Sequence, residues 1–122
     1  MLEIHPVTDK EVLNQYIAEN GLPADAALLR AYENDEVTGN AAVTVAGEAA
    51  DAVLTLHTWD YADDFTGELL LRAVISYAFN RAVPTVSAPE NLNNAILKRV
   101  GFVPDGKNVT IATKNVVHFC QK

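Results

Sequence analysis

A chain of 122 residues, 49% of them hydrophobic, is long enough for one domain with its own core and too short for two ordinary ones. A net charge of −7 argues against a nucleic-acid partner, because neutralising phosphates needs a basic surface. No apolar run is long enough to span a membrane, the start lacks the basic-then-apolar order of a secretory leader, and the single Cys120 cannot form an internal disulfide, so a cytoplasmic location is expected.

The charge is unevenly placed. Residues 1–68 carry 14 of the 16 acids and only two bases, Lys10 and Arg30, whereas residues 69–122 carry Glu90, Asp105 and seven bases. The bases of the second part are scattered, so no nucleic-acid stripe is formed.

In chain order, residues 2–5 form a short strand candidate ended by Pro6. Thr8 followed by Glu11 fits a capping box, and Val12, Leu13, Tyr16 and Ile17 continue at helical spacing until Asn20-Gly21. Residues 28–33 and 37–46 read as two strands around the turn Asn34-Asp35-Glu36. After a turn at 47–50, residues 52–58 complete a three-stranded antiparallel meander. Residues 59–66 read as a polar loop, and 67–81 as the strongest helix, with Leu70, Ala73, Val74, Tyr77 and Ala78 on one apolar face widened by Leu69, Leu71 and Ile75. Residues 83–87 follow as a strand that can lie parallel to 52–58 through a right-handed crossover. A second helix over about 91–99 ends near Gly101, and strands 109–112 and 116–120 close the chain through Thr113-Lys114-Asn115.

That order, with Gly67-Glu68-Leu69-Leu70-Leu71-Arg72-Ala73-Val74-Ile75-Ser76-Tyr77-Ala78 and then Leu97-Lys98-Arg99-Val100-Gly101-Phe102, resembles the GNAT superfamily of N-acetyltransferases over about residues 52–103. The resemblance implies an α/β fold with a mixed α+β sheet: an antiparallel meander, then helix, parallel strand and helix, then a C-terminal hairpin. It also implies a V-shaped split between strands 52–58 and 83–87. In the family, a turn of pattern Arg/Gln-x-x-Gly-x-Gly/Ala and the following helix N-terminus hold the pyrophosphate of acetyl-CoA through backbone amides, a favourable arrangement for an anion. Anchored on Gly67, the turn here is Ala62-Asp63-Asp64-Phe65-Thr66-Gly67; the last small residue matches, while Ala62 stands at the basic or amide position and Phe65 at the middle glycine. A family tyrosine that reprotonates the CoA thiolate falls on Leu97, and a family asparagine at the head of the last helix is matched by Asn91 with a shift of one residue.

The resemblance therefore implies acetyl-CoA or CoA held at Thr58, Thr66, Gly67, Glu68 and Asn91, with His57 as the candidate base for deprotonating a small-molecule amine. The implied activity is transfer of an acetyl group from acetyl-CoA to an amine at a non-standard site; the alternative is a catalytically inactive ligand- or partner-binding module of the same fold. A homodimer is a further expectation; a nucleic-acid or membrane partner is not.

Each of these residues has a plainer role beside the functional one. Asp63, Asp64 and Glu68 suit the positive end of a helix, or they bind a cation there. His57 can be a structural histidine. Trp59 and Tyr61 either cover the core edge or line a ligand pocket or dimer surface. No spacing among His5, His57 and His118 resembles a metal site, so no metal is expected.

Overall fold

The computed structural model describes residues 1–92 and 94–114. The strand expected over 116–120, with His118 and Cys120, lies outside the described residues.

Strand β1 (Leu2–Pro6) leads into helix α1 (Lys10–Asn20). The N-cap is Asp9 rather than Thr8: its carboxylate accepts from the backbone N–H groups of Glu11 and Val12, whereas the sequence reading places the cap one residue earlier. Gly21 closes the helix in the left-handed conformation, at φ 61°. Strands β2 (Ala27–Glu33) and β3 (Glu36–Ala46) form a hairpin around Asn34 and Asp35, both at positive φ, the geometry of a tight primed turn.

Strand β4 (Val53–Tyr61) runs three residues beyond the expected end at Thr58, so Trp59, Asp60 and Tyr61 are strand rather than loop. The reason is a bulge. Ala42 pairs with Thr58 and Val43 with Leu56, which leaves His57 as an extra residue opposite β3. The bulge interrupts the in-out alternation on which strand recognition depends. Leu54, Leu56 and Trp59 are buried, while His57 and Thr58 in between are both only half-buried.

Helix α2 (Asp64–Asn80) starts three residues earlier than the sequence reading, because Asp63 caps it. Strand β5 (Thr85–Pro89) runs two residues further along the chain than expected, at both its start and its end. A 3-10 turn (Glu90–Leu92) precedes helix α3 (Ala95–Val100), so the helix expected from about residue 91 begins later. The closing hairpin is made by β6 (Val103–Asp105), which the sequence reading misses, and β7 (Asn108–Ala112).

Among the described residues, seven strands order as β1-β2-β3-β4-β5-β7-β6. All neighbours are antiparallel except β4 and β5, the parallel pair that the intervening helix makes available. Leu70, Leu71, Val74, Ile75 and Ala78 of α2 are fully buried against Leu54, Leu56, Val86 and Leu97. Burying each of the larger side chains stabilises the domain by roughly 1.5–3 kcal/mol. Helix α1 has no buried residue, but its Tyr16 hydroxyl hydrogen-bonds the Thr58 hydroxyl at 2.8 Å on the opposite sheet face from α2. No helix among the described residues is long and apolar enough to cross a membrane.

Candidate active site

The site begins where two strands part. β4 and β5 pair only over Val53–Thr85, Leu54–Val86 and Thr55–Ser87. Beyond Thr55, β4 continues to Tyr61 alongside β3 alone, and beyond Ser87, β5 continues to Pro89 alongside β7 alone. The strands thus form the split that the resemblance implies, and no described strand pairs with the β5-facing side of β4 over residues 56–61. Polar backbone groups there are available to a ligand.

His57 lies at the bulge beside this opening. Its Nε2 lies 2.7 Å from the Thr44 hydroxyl of β3, which fixes the ring's orientation. Thr58 is held by Tyr16, whose phenol is pushed up in pKa, chiefly by burial. On the same face Arg30 Nε donates to Asn40 at 2.7 Å, and Asn40 donates in turn to Asp60 at 3.2 Å. His57 and Thr58 thus come together; Asn91 does not join them, being exposed in the 3-10 turn. The asparagine at the head of α3 is Asn94. Its side-chain oxygen accepts from the N–H groups of Ile96 and Leu97, and its amide nitrogen donates to the Tyr61 hydroxyl at 3.0 Å.

The first turn of α2 carries Thr66, Gly67 and Glu68. The Asp63 carboxylate accepts from the Thr66 N–H at 2.8 Å, and the Gly67 N–H bonds the Asp63 carbonyl at 2.9 Å. The Thr66 N–H first, and then the Thr66 side chain, hold the Asp63 carboxyl below its ordinary pKa. Two amides that could face a phosphate are therefore already satisfied within the chain. Gly67 is buried with its open side filled: a methyl group built there would stand 2.7 Å from the Tyr61 ring. The Trp59 indole N–H donates to the Gly67 carbonyl at 3.2 Å and its ring stacks, tilted, on Tyr61 at 4.8 Å. Phe65, 69% exposed, points away from this packing.

Glu68 ties α2 to α3. Its carboxylate bonds Arg99 at 2.8 Å and Arg72 at 3.3 Å, and Arg99 first and then Arg72 hold its carboxyl below the usual range. Leu97, at the tyrosine position of the resemblance, is fully buried and apolar. Among the described residues, no group of three His, Cys, Asp or Glu side chains gathers to hold a metal. A cavity of about 490 Å³ lined by Val83, Pro84 and Ala112 lies at the far end of α2, well away from the split.

The sequence reading misses Tyr16, Asn94 and the part played by Tyr61. Tyr61 and Asn94 are 33 residues apart, and no local pattern links them.

No protein-family model matches the chain, and no curated protein sequence matches it. Solved structures do. A mutant of the AtaT toxin bound to the C-terminus of the antitoxin AtaR aligns at a TM-score of 0.69 and 16% identity, over 100% of this chain and 99% of that one. The same complex with acetyl-CoA aligns at 0.68 and 15%, over 99% of each chain. An N-acetyltransferase from Staphylococcus aureus Mu50 aligns at 0.67 and 12%, over 93% of this chain and 98% of that one. The ribosomal-protein-S18-alanine N-acetyltransferase from Escherichia coli aligns at 0.63 and 16%, over 91% and 90%. The chain has the GNAT fold.

Proposed function

We propose that the protein is an acyltransferase that moves an acetyl group from acetyl-CoA to an amine at the split between β4 and β5. The amine nitrogen bonds the thioester carbonyl carbon, the carbon–sulfur bond breaks, one amine proton leaves to a base, and the CoA thiolate takes up a proton. The observation that carries this reading is the unpaired side of β4 over residues 56–61, which can receive a thioester and pantetheine arm through its backbone. The fold, with neighbours named as acetyltransferases and one solved with acetyl-CoA, supports it.

The residues fit the two ends of such a donor unequally. Main-chain groups after Thr58 suit the pantetheine arm. Thr66, Gly67 and Glu68 lie at the positive end of α2, where the pyrophosphate would sit; there the Asp63 carboxylate already accepts from the Thr66 N–H and the Tyr61 ring covers Gly67. The donor is therefore expected to bind weakly. His57, oriented by Thr44, serves as the base, directly or through a water molecule.

The test is calorimetric titration of acetyl-CoA at up to about 1 mM, followed by thiol-release assays over a panel of amines. Binding and turnover are expected. His57→Ala should lower kcat by about 100-fold while leaving acetyl-CoA affinity unchanged. Absence of both a binding heat and a thermal shift would end this reading.

A further inference from the structure

We infer that Tyr61 is a gate across the donor's path, latched by Asn94, and that this latch sets how tightly the protein holds acyl-CoA. The inference rests on the acyltransferase reading and deepens it. Three observations place the gate. β4 and β5 stop pairing after Thr55 and Ser87, and β4 runs on without a described partner on that side to Tyr61, its last residue. The Tyr61 ring lies against Gly67 so closely that not even a methyl group fits between them, which covers the backbone at the head of α2. The Tyr61 hydroxyl accepts from Asn94, a residue that follows β5 and opens α3.

The chain therefore reconnects, through one side-chain hydrogen bond, the two arms that the sheet has let go. A donor reaching from the positive end of α2 into the split must pass Tyr61. The ring lies on a glycine and is held by one neutral hydrogen bond and a stack on Trp59. Rotation about its own side-chain bonds clears the passage without moving the backbone.

The consequence is a closed form that competes with the donor. Apparent affinity equals the intrinsic affinity scaled by the fraction of molecules with the gate open. Removing the latch raises that fraction. A neutral hydrogen bond of ordinary strength corresponds to about a two- to tenfold change.

The experiment titrates acetyl-CoA by calorimetry into the full chain and into four variants: Tyr61→Phe, which keeps the ring and loses the hydroxyl; Asn94→Ser, which keeps a helix-capping oxygen but is too short to hold Tyr61; their double variant; and Tyr61→Ala, which removes the ring. Folding is verified by circular-dichroism melting, and Tyr61→Phe with Asn94→Ser decide the matter alone if Tyr61→Ala does not fold. The expected result is an apparent Kd lowered about two- to tenfold in each single latch variant, no further gain in the double variant because both remove the same bond, and a larger fall in Tyr61→Ala. If the wild type binds and the two latch variants bind equally or more weakly, the gate is refuted while the acyltransferase reading stands. If neither the wild type nor a folded variant binds at about 1 mM, both fall. If the variants bind more tightly yet no amine is acetylated, the gate stands and the transfer reading falls.

Discussion

Gly67→Ala should destabilise this protein, and should stabilise it once Tyr61 is removed. In an ordinary helix the substitution gains about 1 kcal/mol, because alanine is the better helix former. Here the new methyl carbon would stand 2.7, 2.8 and 2.9 Å from three atoms of the Tyr61 ring. Ordinary carbon–carbon contact begins near 3.5 Å, so the ring must retreat by roughly 0.8 Å. It is resisted by Trp59 behind it and by the Asn94 bond at its tip. Overpacking of this kind costs about 1–3 kcal/mol, which exceeds the helix gain and leaves a net loss of about 1 kcal/mol. In a Tyr61→Ala background the obstacle is gone and the same substitution should gain about 1 kcal/mol. The coupling between the two sites, about 1–3 kcal/mol, is the measurable quantity. Urea unfolding followed by fluorescence reads it directly, since the only tryptophan, Trp59, is buried at the site. A stabilising Gly67→Ala in the otherwise wild-type chain, or a coupling below about 0.5 kcal/mol, would refute the packing argument.

Three further outcomes are expected. The Asp63 carboxyl titrates below its ordinary value, so its contribution is present above about pH 4 and lost as pH falls through the folded pKa; Asp63→Asn, which keeps the cap, should flatten the acid limb of stability, and Asp63→Ala should lower the melting temperature at neutral pH. Tyr16→Phe should cost about 1 kcal/mol in urea at pH 7 through loss of the Thr58 bond. Because the Tyr16 pKa is raised, the wild type should also lose stability above about pH 10, and Tyr16→Phe should not show that loss. Glu68→Gln, which removes partly exposed pairs with Arg99 and Arg72, should cost about 0.5 kcal/mol at low salt and nothing measurable in about 1 M NaCl.

The fold was readable from sequence where the signal is local or periodic. The apolar face of α2, the turn at Asn34-Asp35 and the order of elements that brings β5 parallel to β4 all follow from spacing and turn chemistry. Boundaries failed where a polar residue did structural work. Asp63 and Asp64 look like loop residues in a polar run, yet the first caps α2 and the second begins it. His57 breaks the alternation of β4, which hid Trp59–Tyr61 from a period-two reading. At the head of α3, Asn91 and Asn94 are equivalent by composition, and only the three-dimensional position of the cap selects Asn94. The resemblance points to Gly67, but what fills the space beside it is a side chain six residues earlier in the chain. The site is legible as an address; its present occupant is not.

The bulge at His57 makes β4 behave like a reading frame. The segment before it and the segment after it are out of phase by one residue, and both phases are used: Leu54 and Leu56 face α2 in the first, Trp59 in the second. Deleting either His57 or Thr58 would remove the extra residue and restore a regular ladder, with Trp59 and Tyr61 still on the α2 face and Asp60 still outward. Deleting both would put the strand out of phase, turning Asp60 inward and carrying Trp59 and Tyr61 to the opposite face. Substitution at His57 is therefore a chemical question, the loss of one residue there straightens the strand, and only the loss of two reverses its faces as far as Tyr61.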